Sequence, residues 1–313
     1  MQWFFDTFSW YILPEHTIIL AVSGGVDSMV LLDLVLHHHN VQKIIVAHFD
    51  HALRWSEWDG DRELVANFCK EKNITFEVEK MDIALIAKNE KQSIESVARK
   101  YRYEFFFQIA KKYNAKYILT AHHLDDRIET AMFNLIRGTK LGGIHALSEV
   151  SRTDGWVSLF RPLLSISKSE IIEYAREKNI LFREDSSNSD TDYLRNHLRK
   201  NILPEFEAIN PGYRKSLSNF IEYTEELKCW IDEEVKVFLS DGVSFLITEF
   251  EKKSLFFQKE IIRYLYEKAN NGTVGLSEGN IEEILRYILT ANGGTMKEIK
   301  NLRLERRKSE IYF

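Results

Sequence analysis

Short apolar runs alternate with helix-length amphipathic segments through the first half of the chain. Five runs are predicted to be strands: TIILAV (17–22), which has the composition of a buried strand, KIIVAHF (43–49), ITFEVE (74–79), which alternates, YILTAH (117–122) and WVSLFRPLL (156–164). Segments with helical periodicity lie between them, at 27–37, 57–72, 93–114 and 125–138. Because parallel strands must be joined by crossovers, this alternation predicts an α/β fold, a doubly wound parallel sheet with helices on both faces.

A sheet of this kind binds ligands beyond the carboxyl ends of its strands. Three polar stretches follow predicted strands at that edge: a glycine-containing turn at 23–28, residues 48–54, and residues 122–126. Ser167, with Glu170 three residues later, predicts a capping box that opens a further helix.

The pattern changes near residue 212, where Pro211-Gly212 interrupts the chain. Beyond it, helical periodicity dominates at 214–239, 254–270 and 277–290, and LRLERRKSEIYF (302–313) has the pattern of a short hairpin. We therefore expect a catalytic α/β domain at 1–212 and a smaller, mostly helical substrate-recognition domain at 213–313.

Composition excludes several classes of protein. The two cysteines among the 313 residues, Cys69 and Cys229, form no CxxC pair, which argues against zinc and iron–sulfur sites and favours a reducing compartment such as the cytoplasm. The aromatic N-terminus lacks a basic start and contains Pro14, so a signal peptide is not expected. No apolar run has the length of a membrane span.

The stretch LAVSGGVDSMVLL (20–32) runs from an apolar strand through Gly24-Gly25 into an apolar helix. Bare backbone N–H groups at a helix N-terminus favour an anion, most often a phosphate. The alternative is an ordinary tight turn, but Ser23, Asp27 and Ser28 around the glycines favour a binding loop. It is not a Walker loop, since no lysine follows Gly25.

Two further stretches carry paired charges. Asp126 and Glu129 share a helical face away from the apolar stripe that runs from Ile128 to Ile136, with a spacing that suits an ammonium group better than a metal held by His122 or His123. Arg195 and Arg199 lie four residues apart, with Asn196 beside the first, and suit phosphate or a nucleic-acid backbone. The alternative in both cases is a solvated charged helix face.

Taken together, these motifs resemble the tRNA(Ile)-lysidine synthetases, a branch of the PP-loop ATP pyrophosphatases. The resemblance covers nearly the whole chain and is carried by SGGVDS (23–28), HFDHALR (48–54), ESVARKYRYEFF (95–106), HHLDDRIET (122–130), RGTKLGGIHAL (137–147), RPLL (161–164) and EDSSNSDTDYLRNHLRKNILP (184–204). The family often carries a further C-terminal domain. Since this sequence ends soon after its predicted helical domain, it resembles the short form of the family.

The resemblance implies an ATP-dependent ligase that joins lysine to C2 of the wobble cytidine of CAU-anticodon isoleucine tRNA, through an adenylated tRNA. It implies Mg²⁺ held by Asp27, and ATP bound by Ser23, Gly24, Gly25, Val26, Asp27, Ser28 and His48. Asp126 and Glu129 would bind lysine, and His123 or one of the carboxylates would take the amine proton. Arg195, Asn196 and Arg199 would bind tRNA. No membrane partner is expected, and a homodimer is left open.

Other members of the superfamily are alternatives. tRNA thiolation enzymes use catalytic cysteines or a CxxC-bound cluster, and amidating synthetases do not explain the basic helix near Arg195. A non-catalytic nucleotide- or RNA-binding protein would not need both Asp27 and the Asp126–Glu129 pair.

A net charge of −5 raises the question of where a polyanion would bind. Two segments are locally basic: 193–215 has five cationic residues against two acidic ones, and 296–309 has six against two. We expect tRNA to contact both segments, although an isolated charge run is usually a solvated surface.

Overall fold

The computed structural model describes residues 2–37, 43–52, 58–144, 147–152, 156–183, 196–240, 242–270, 272 and 275–313. The chain divides into two compact units, Met1–Glu222 and Tyr223–Phe313. This division falls within one helix, Tyr213–Leu239. The functional division at residue 212 stays a prediction.

The first unit contains a six-stranded sheet. Its strands are β1 (Thr17–Ala21), β2 (Lys43–Asp50), β3 (Thr75–Lys80), β4 (Tyr117–Leu119), β5 (Val150–Arg152) and β6 (Ser158–Phe160). They lie in the order β3-β2-β1-β4-β6-β5, and all neighbours are parallel except the edge strand β5, which is antiparallel to β6. Leu20 of β1 pairs with Val46 on one side and Leu119 on the other. The strand order reverses between β1 and β4, so a ligand crevice is expected there.

Helices cover both faces of this sheet. They are α1 (Gln2–Tyr11), α2 (Val26–His37), α3 (Trp58–Glu71), α4 (Ile83–Glu90), α5 (Ile94–Tyr113), α6 (Leu124–Ile136), α7 (Leu141–Ile144) and α8 (Lys168–Glu177), followed by a π-helical turn at Leu198–Ile202 and α9 (Leu203–Ile209). The predicted capping box at Ser167 and Glu170 is confirmed at the start of α8. The predicted α/β class, with a mostly parallel sheet, is confirmed.

Successive residues of β1 point to opposite sides and fill two separate cores. Leu20 packs with α2 and α1 on one side, whereas Ile19 packs with α5 on the other, against Phe105 and Phe106. All of these side chains are at most 6% exposed. Burial on both faces explains why the sequence of β1 is continuously apolar rather than alternating.

A third apolar cluster joins α6 to the end of the first unit. Leu124 and Ile128 of α6 pack against Leu203 of α9, with Tyr213 and Ile221 of the helix Tyr213–Leu239. This packing brings the π-helical turn Leu198–Ile202, which precedes α9, against α6.

Several elements were not predicted from the sequence. Helix α1 buries Phe4 and Phe8 completely, and α4 fills part of the interval between β3 and α5. The predicted strand at 156–164 is shorter than expected, because only Ser158–Phe160 pairs with β4.

The second unit combines helices with a small antiparallel sheet. The helix Tyr213–Leu239 (α10) is followed by α11 (Ile247–Glu251), α12 (Leu255–Asn270) and α13 (Glu278–Thr290). Strands β7 (Ser244–Leu246), β8 (Met296–Ile299), β9 (Leu302–Arg307) and β10 (Glu310–Tyr312) lie in the order β7-β10-β9-β8. The predicted hairpin is confirmed as β9–β10, whereas β7 and β8 were not predicted.

Across the described ranges, we find no helix with the length and apolar character needed to cross a bilayer.

Replacement of Phe8 by alanine tests whether α1 belongs to the core. Phe8 is fully buried, with its ring centroid 6.1 Å from that of Phe160 and 5.4 Å from that of Phe4. We expect the free energy of unfolding to fall by about 3–5 kcal/mol, measured by chemical denaturation. Trp10→Ala is the matched control, since Trp10 lies on the same helix and is 85% exposed. Equal losses from the two variants would contradict the packing.

Candidate functional site

The glycine turn between β1 and α2 is shaped by the hydroxyl of Ser28. Its Oγ accepts hydrogen bonds from the backbone N–H of Ser23 (3.1 Å) and of Gly24 (3.2 Å), and donates to the carbonyl of Gly25 at 2.9 Å. Val26 and Asp27 form the first turn of α2, whose N–H groups have no intrahelical acceptor. The result is a concave loop at a helix N-terminus, a geometry that suits a phosphate.

Gly24 has a φ of +95°, a conformation that a residue with a side chain adopts only with strain. A Cβ at this position would also lie 3.2 Å from the Cβ of Asp61 in α3. Asp61 forms an ion pair with Nε of Arg183 at 2.8 Å, and the backbone N–H of Arg183 donates to the carbonyl of Gly24 at 3.1 Å. Asp61 and Arg183 therefore hold the turn from outside, which the sequence did not indicate.

Asp27 lies at the start of α2 and faces two elements that follow other strands. Its Oδ1 accepts a hydrogen bond from Nζ of Lys168 at 2.6 Å and lies 3.8 Å from Nε2 of His123. Lys168 begins α8, at the position that the Ser167–Glu170 capping box determines. The capping signal located Lys168 in a first helical turn, but nothing in the sequence paired it with Asp27.

His123 is buried at the N-cap of α6, among three carboxylates. Besides Asp27, its ring nitrogens lie 3.8 Å from Oδ2 of Asp125 and 3.5 Å from Oδ2 of Asp126. The backbone N–H of His123 also donates to Asp126 at 3.1 Å. The imidazole therefore bridges the glycine turn and the acidic face of α6.

Asp125 is an acidic residue that the sequence analysis did not single out. It accepts hydrogen bonds from the backbone N–H of Lys168 at 2.8 Å and from Nε of Arg214 at 2.9 Å. Burial raises the pKa of Asp125, but these hydrogen bonds outweigh it and hold the pKa below its ordinary value. Asp125 is thus an ionised link between α6, α8 and α10.

Glu129 and Arg199, which the sequence assigned to two different ligands, are partners. The guanidinium of Arg199 donates to both oxygens of Glu129, at 2.6 and 2.8 Å, and its Nη2 lies 3.8 Å from Oδ1 of Asp126. The hydrogen bond to Glu129 raises the pKa of Arg199 above its ordinary value. Glu129 is 4% exposed, so the alternative of a solvated acidic face is wrong for this residue.

The family model of the PP-loop domain matches residues 4–206, well over half of the chain. The chain belongs to the PP-loop family. We refer to the glycine turn of Ser23–Ser28 as the PP-loop.

Curated relatives confirm the resemblance that the motifs predicted. The chain is 39% identical to the tRNA(Ile)-lysidine synthase of Thermosipho africanus over 222 residues, 70% of this chain and 51% of that protein. It is 32% identical to the tRNA(Ile)-lysidine synthase of Bacillus anthracis over 318 residues, 96% of this chain and 66% of that protein. The chain thus spans about half to two thirds of the length of these relatives.

Among solved structures, the chain is similar to the U34-tRNA thiolase NcsA from Methanococcus maripaludis with its [4Fe-4S] cluster. The TM-score is 0.60 with 19% sequence identity, and the match covers 72% of this chain and 76% of that one. At this identity, the likeness shows that the two chains share a fold.

His48, predicted to bind the nucleotide, is fully buried near the carboxyl end of β2. Its Nδ1 is 2.8 Å from the carbonyl oxygen of Val22, just before the PP-loop, and its Nε2 has no hydrogen-bond partner among the described residues. Burial lowers the pKa of His48, so the ring is held neutral near pH 7. A nucleotide contact by His48 stays a prediction.

Two predicted tRNA-binding residues have different outcomes. Arg195 lies outside the described residues, as does Arg54 of the 48–54 stretch. Asn196 is described and is partly buried next to the π-helical turn that carries Arg199.

The cysteines and metal-ligating residues form no site that the structure describes. Cys69 is buried, which raises its pKa to about 11, and Cys229 is exposed in the other unit. Within the described ranges, no group of three or more histidine, cysteine, aspartate or glutamate residues is arranged to hold a metal ion.

His122 faces a basic environment, whereas its neighbour His123 faces an acidic one. Its Nδ1 lies 2.8 Å from Oγ1 of Thr120. Burial, and then the positive charges of Arg161, Arg102 and Arg99, lower the pKa of His122 to about 3.

The lowered pKa of His122 predicts how stability depends on pH. Since the unfolded chain protonates this ring near its ordinary value of about 6.5, the unfolded state binds more protons between about pH 6.5 and pH 3. The contribution of the neutral His122 to stability is therefore fully present above this window and is lost as the pH falls through it.

We expect NMR to show a neutral His122 imidazole at pH 5. In His122→Gln, the free energy of unfolding should fall by less between pH 7 and pH 4 than in the wild type, with a difference of up to about 3 kcal/mol. An imidazolium signal from His122 at pH 5 would contradict this prediction.

Proposed function

We propose that the protein joins lysine to C2 of the wobble cytidine of an isoleucine tRNA with a CAU anticodon, using ATP, in the cytoplasm. The observation that carries this proposal is the position of His123. Its Nε2 lies 3.8 Å from Asp27 of the PP-loop and 3.5 Å from Asp126 on the acidic face of α6. The residues proposed to act in ATP-dependent activation and in binding the amine are therefore adjacent in one unit.

The PP-loop supports the first half of the reaction. Its N–H groups suit the β- and γ-phosphates of ATP, which leaves the α-phosphorus accessible. The C2 oxygen of cytidine would attack the α-phosphorus, with pyrophosphate as the leaving group. This step converts a poor leaving group into part of AMP.

Asp27 fits a role in holding Mg²⁺. Magnesium binds through one or two carboxylates together with substrate phosphates and water, and Asp27 supplies a carboxylate at the start of α2 beside the PP-loop. When bound, the ion would neutralise charge that develops on the departing pyrophosphate.

The acidic face of α6 supports the second half. Asp126 and Glu129 already hold a cationic side chain, that of Arg199, so their geometry suits the ε-ammonium of lysine. The neutral amine would then attack C2 and release AMP. His123 or one of the carboxylates would take the proton, and these alternatives stay open.

The local charge of this site is negative, which favours a cationic substrate. Four carboxylates lie around His123 and Arg199: Asp27, Asp125, Asp126 and Glu129. Among the described residues, three cations contact them: Lys168, Arg199 and Arg214. The three cations also lessen the tendency of the carboxylates to keep the lysine amine protonated.

The basic segments support contact with tRNA in part. Lys200 and Lys215 are exposed, whereas Arg199 and Arg214 are bonded to carboxylates. In the β9–β10 hairpin, Arg303 is exposed, but Arg306 donates to the carbonyl of Ile288 at 2.8 Å and so contributes to the fold. We propose that exposed basic residues, rather than every cation of these segments, bind the phosphate backbone.

The cysteines favour ligation over thiolation. Cys69 is buried with a raised pKa, the opposite of a reactive thiolate, and Cys229 lies in the other unit.

The deciding experiment is mass spectrometry of the wobble nucleoside after incubation of the tRNA with the protein, ATP, Mg²⁺ and lysine. Formation of lysidine that needs all four components would support the proposal. Unmodified cytidine with an active, folded protein would contradict it.

Asp27→Asn should reduce tRNA-dependent AMP formation by at least about 100-fold, because the variant loses the charge proposed to hold magnesium at the phosphates. AMP formation is measured with labelled ATP. Asp33→Asn on the same helix is the control, since Asp33 bonds to Tyr174 rather than facing the PP-loop. Near-normal AMP formation by a folded Asp27→Asn protein would rule out this role.

Asp126→Asn and Glu129→Gln should impair the use of lysine more than the use of ATP. In single-turnover assays, adenylated tRNA should accumulate, because activation proceeds while the transfer of lysine fails. Glu205→Gln removes an exposed carboxylate of the same unit and should behave as the wild type. If both variants lost ATP binding and kept their lysine affinity, the assignment would be wrong.

A further inference from the structure

Arg199 occupies the two carboxylates to which the proposed function assigns the substrate ammonium. Both oxygens of Glu129 accept hydrogen bonds from its guanidinium, and Asp126 lies 3.8 Å from the same group. A lysine ammonium would need the same acceptor atoms. Arg199 and the substrate are therefore competitors for one set of hydrogen bonds.

The two partners differ in exposure. The Glu129 side chain is 6% exposed, whereas that of Arg199 is 48% exposed. A buried carboxylate that loses its cation is strongly destabilised, so Arg199 leaves at low cost only if another cation takes its place. The half-exposed side chain of Arg199 can turn its guanidinium into solvent, or onto an anion, without disturbing the core.

The surroundings of Arg199 suit an anion outside the pocket. Arg199 lies on the π-helical turn Leu198–Ile202, beside exposed Lys200. Short π-helical segments are rare in proteins, and those that exist are often found at functional sites. A guanidinium also binds phosphate bidentately, with a geometry as favourable as that for a carboxylate.

We propose that Arg199 closes the lysine site while tRNA is absent, and that a backbone phosphate of the tRNA draws its guanidinium away from Glu129. Lysine then binds to the vacated carboxylates. The inference rests on the proposed function, since it takes lysine and tRNA as the substrates. It makes Arg199 a positioning residue that couples the binding of one substrate to the other.

Calorimetry without ATP tests this coupling, since no reaction then follows. In the wild type, a CAU anticodon stem-loop RNA should tighten lysine binding about tenfold, a change equivalent to about 1.4 kcal/mol. Saturating lysine should tighten RNA binding by the same factor, because coupling between two binding equilibria is reciprocal.

The Arg199→Gln variant removes the competitor. Without RNA, it should bind lysine about tenfold more tightly than the wild type, and the RNA should tighten lysine binding no further. Lys200→Gln is the matched control: it removes a charge from the same turn without touching Glu129, so it should keep the wild-type coupling even if RNA binds more weakly.

A measurement on the wild type avoids reliance on the variant's fold. The NMR signal of the Arg199 Nε–H should shift when lysine and RNA are both saturating. Lysine affinity that is unchanged or weaker in folded Arg199→Gln, or RNA coupling that persists in it, would overturn the inference. So would an Arg199 signal that stays unchanged.

Lysidine formation by the wild type separates the two proposals. If lysidine forms but lysine and RNA bind independently, the inference fails and the proposed function stands. If lysine and RNA bind with the predicted coupling but no lysidine forms with ATP, the proposed function fails.

Discussion

The parallel pairing of β1 with a strand on each side is the constraint on which the rest of the structure depends. β1 pairs with β2 and β4, and the chain leaves β1 and β4 at the same edge of the sheet. The PP-loop follows β1, and His123 with α6 follows β4. A phosphate-shaped turn and an acidic helix therefore meet, although about 100 residues separate them in sequence.

Electrostatics at this edge connects elements that share no strand pairing. Asp125 accepts hydrogen bonds from the start of α8 and from α10, and Glu129 bonds to the π-helical turn. Each of these carboxylates is at least partly withdrawn from water, so each needs its partner. The same bonds that stabilise the site also position its groups, and the carboxylates outnumber the cations that contact them.

The charge of a side chain alone did not indicate which group it contacts. The predictions assigned Arg199 to tRNA and Glu129 to lysine, yet they are bonded to each other. The predicted roles and the observed bond are compatible if the Arg199 guanidinium has two partners at different stages of the reaction. Lys168 illustrates the same point, since an ordinary lysine in a first helical turn is the cation that contacts Asp27.

The amino-acid sequence by itself determined the local elements and the PP-loop. Apolar runs of strand length, the capping box at Ser167 and the pair of glycines act through neighbours in the chain, so their outcome is readable from spacing. Only the tertiary structure decided that α1 belongs to the core, that Asp61 and Arg183 hold the PP-loop, and that Arg199 bonds to Glu129. These contacts join residues up to 159 positions apart, as for Gly24 and Arg183, and depend on how helices pack across a sheet. Periodicity records which face of an element is buried, but not which partner covers it.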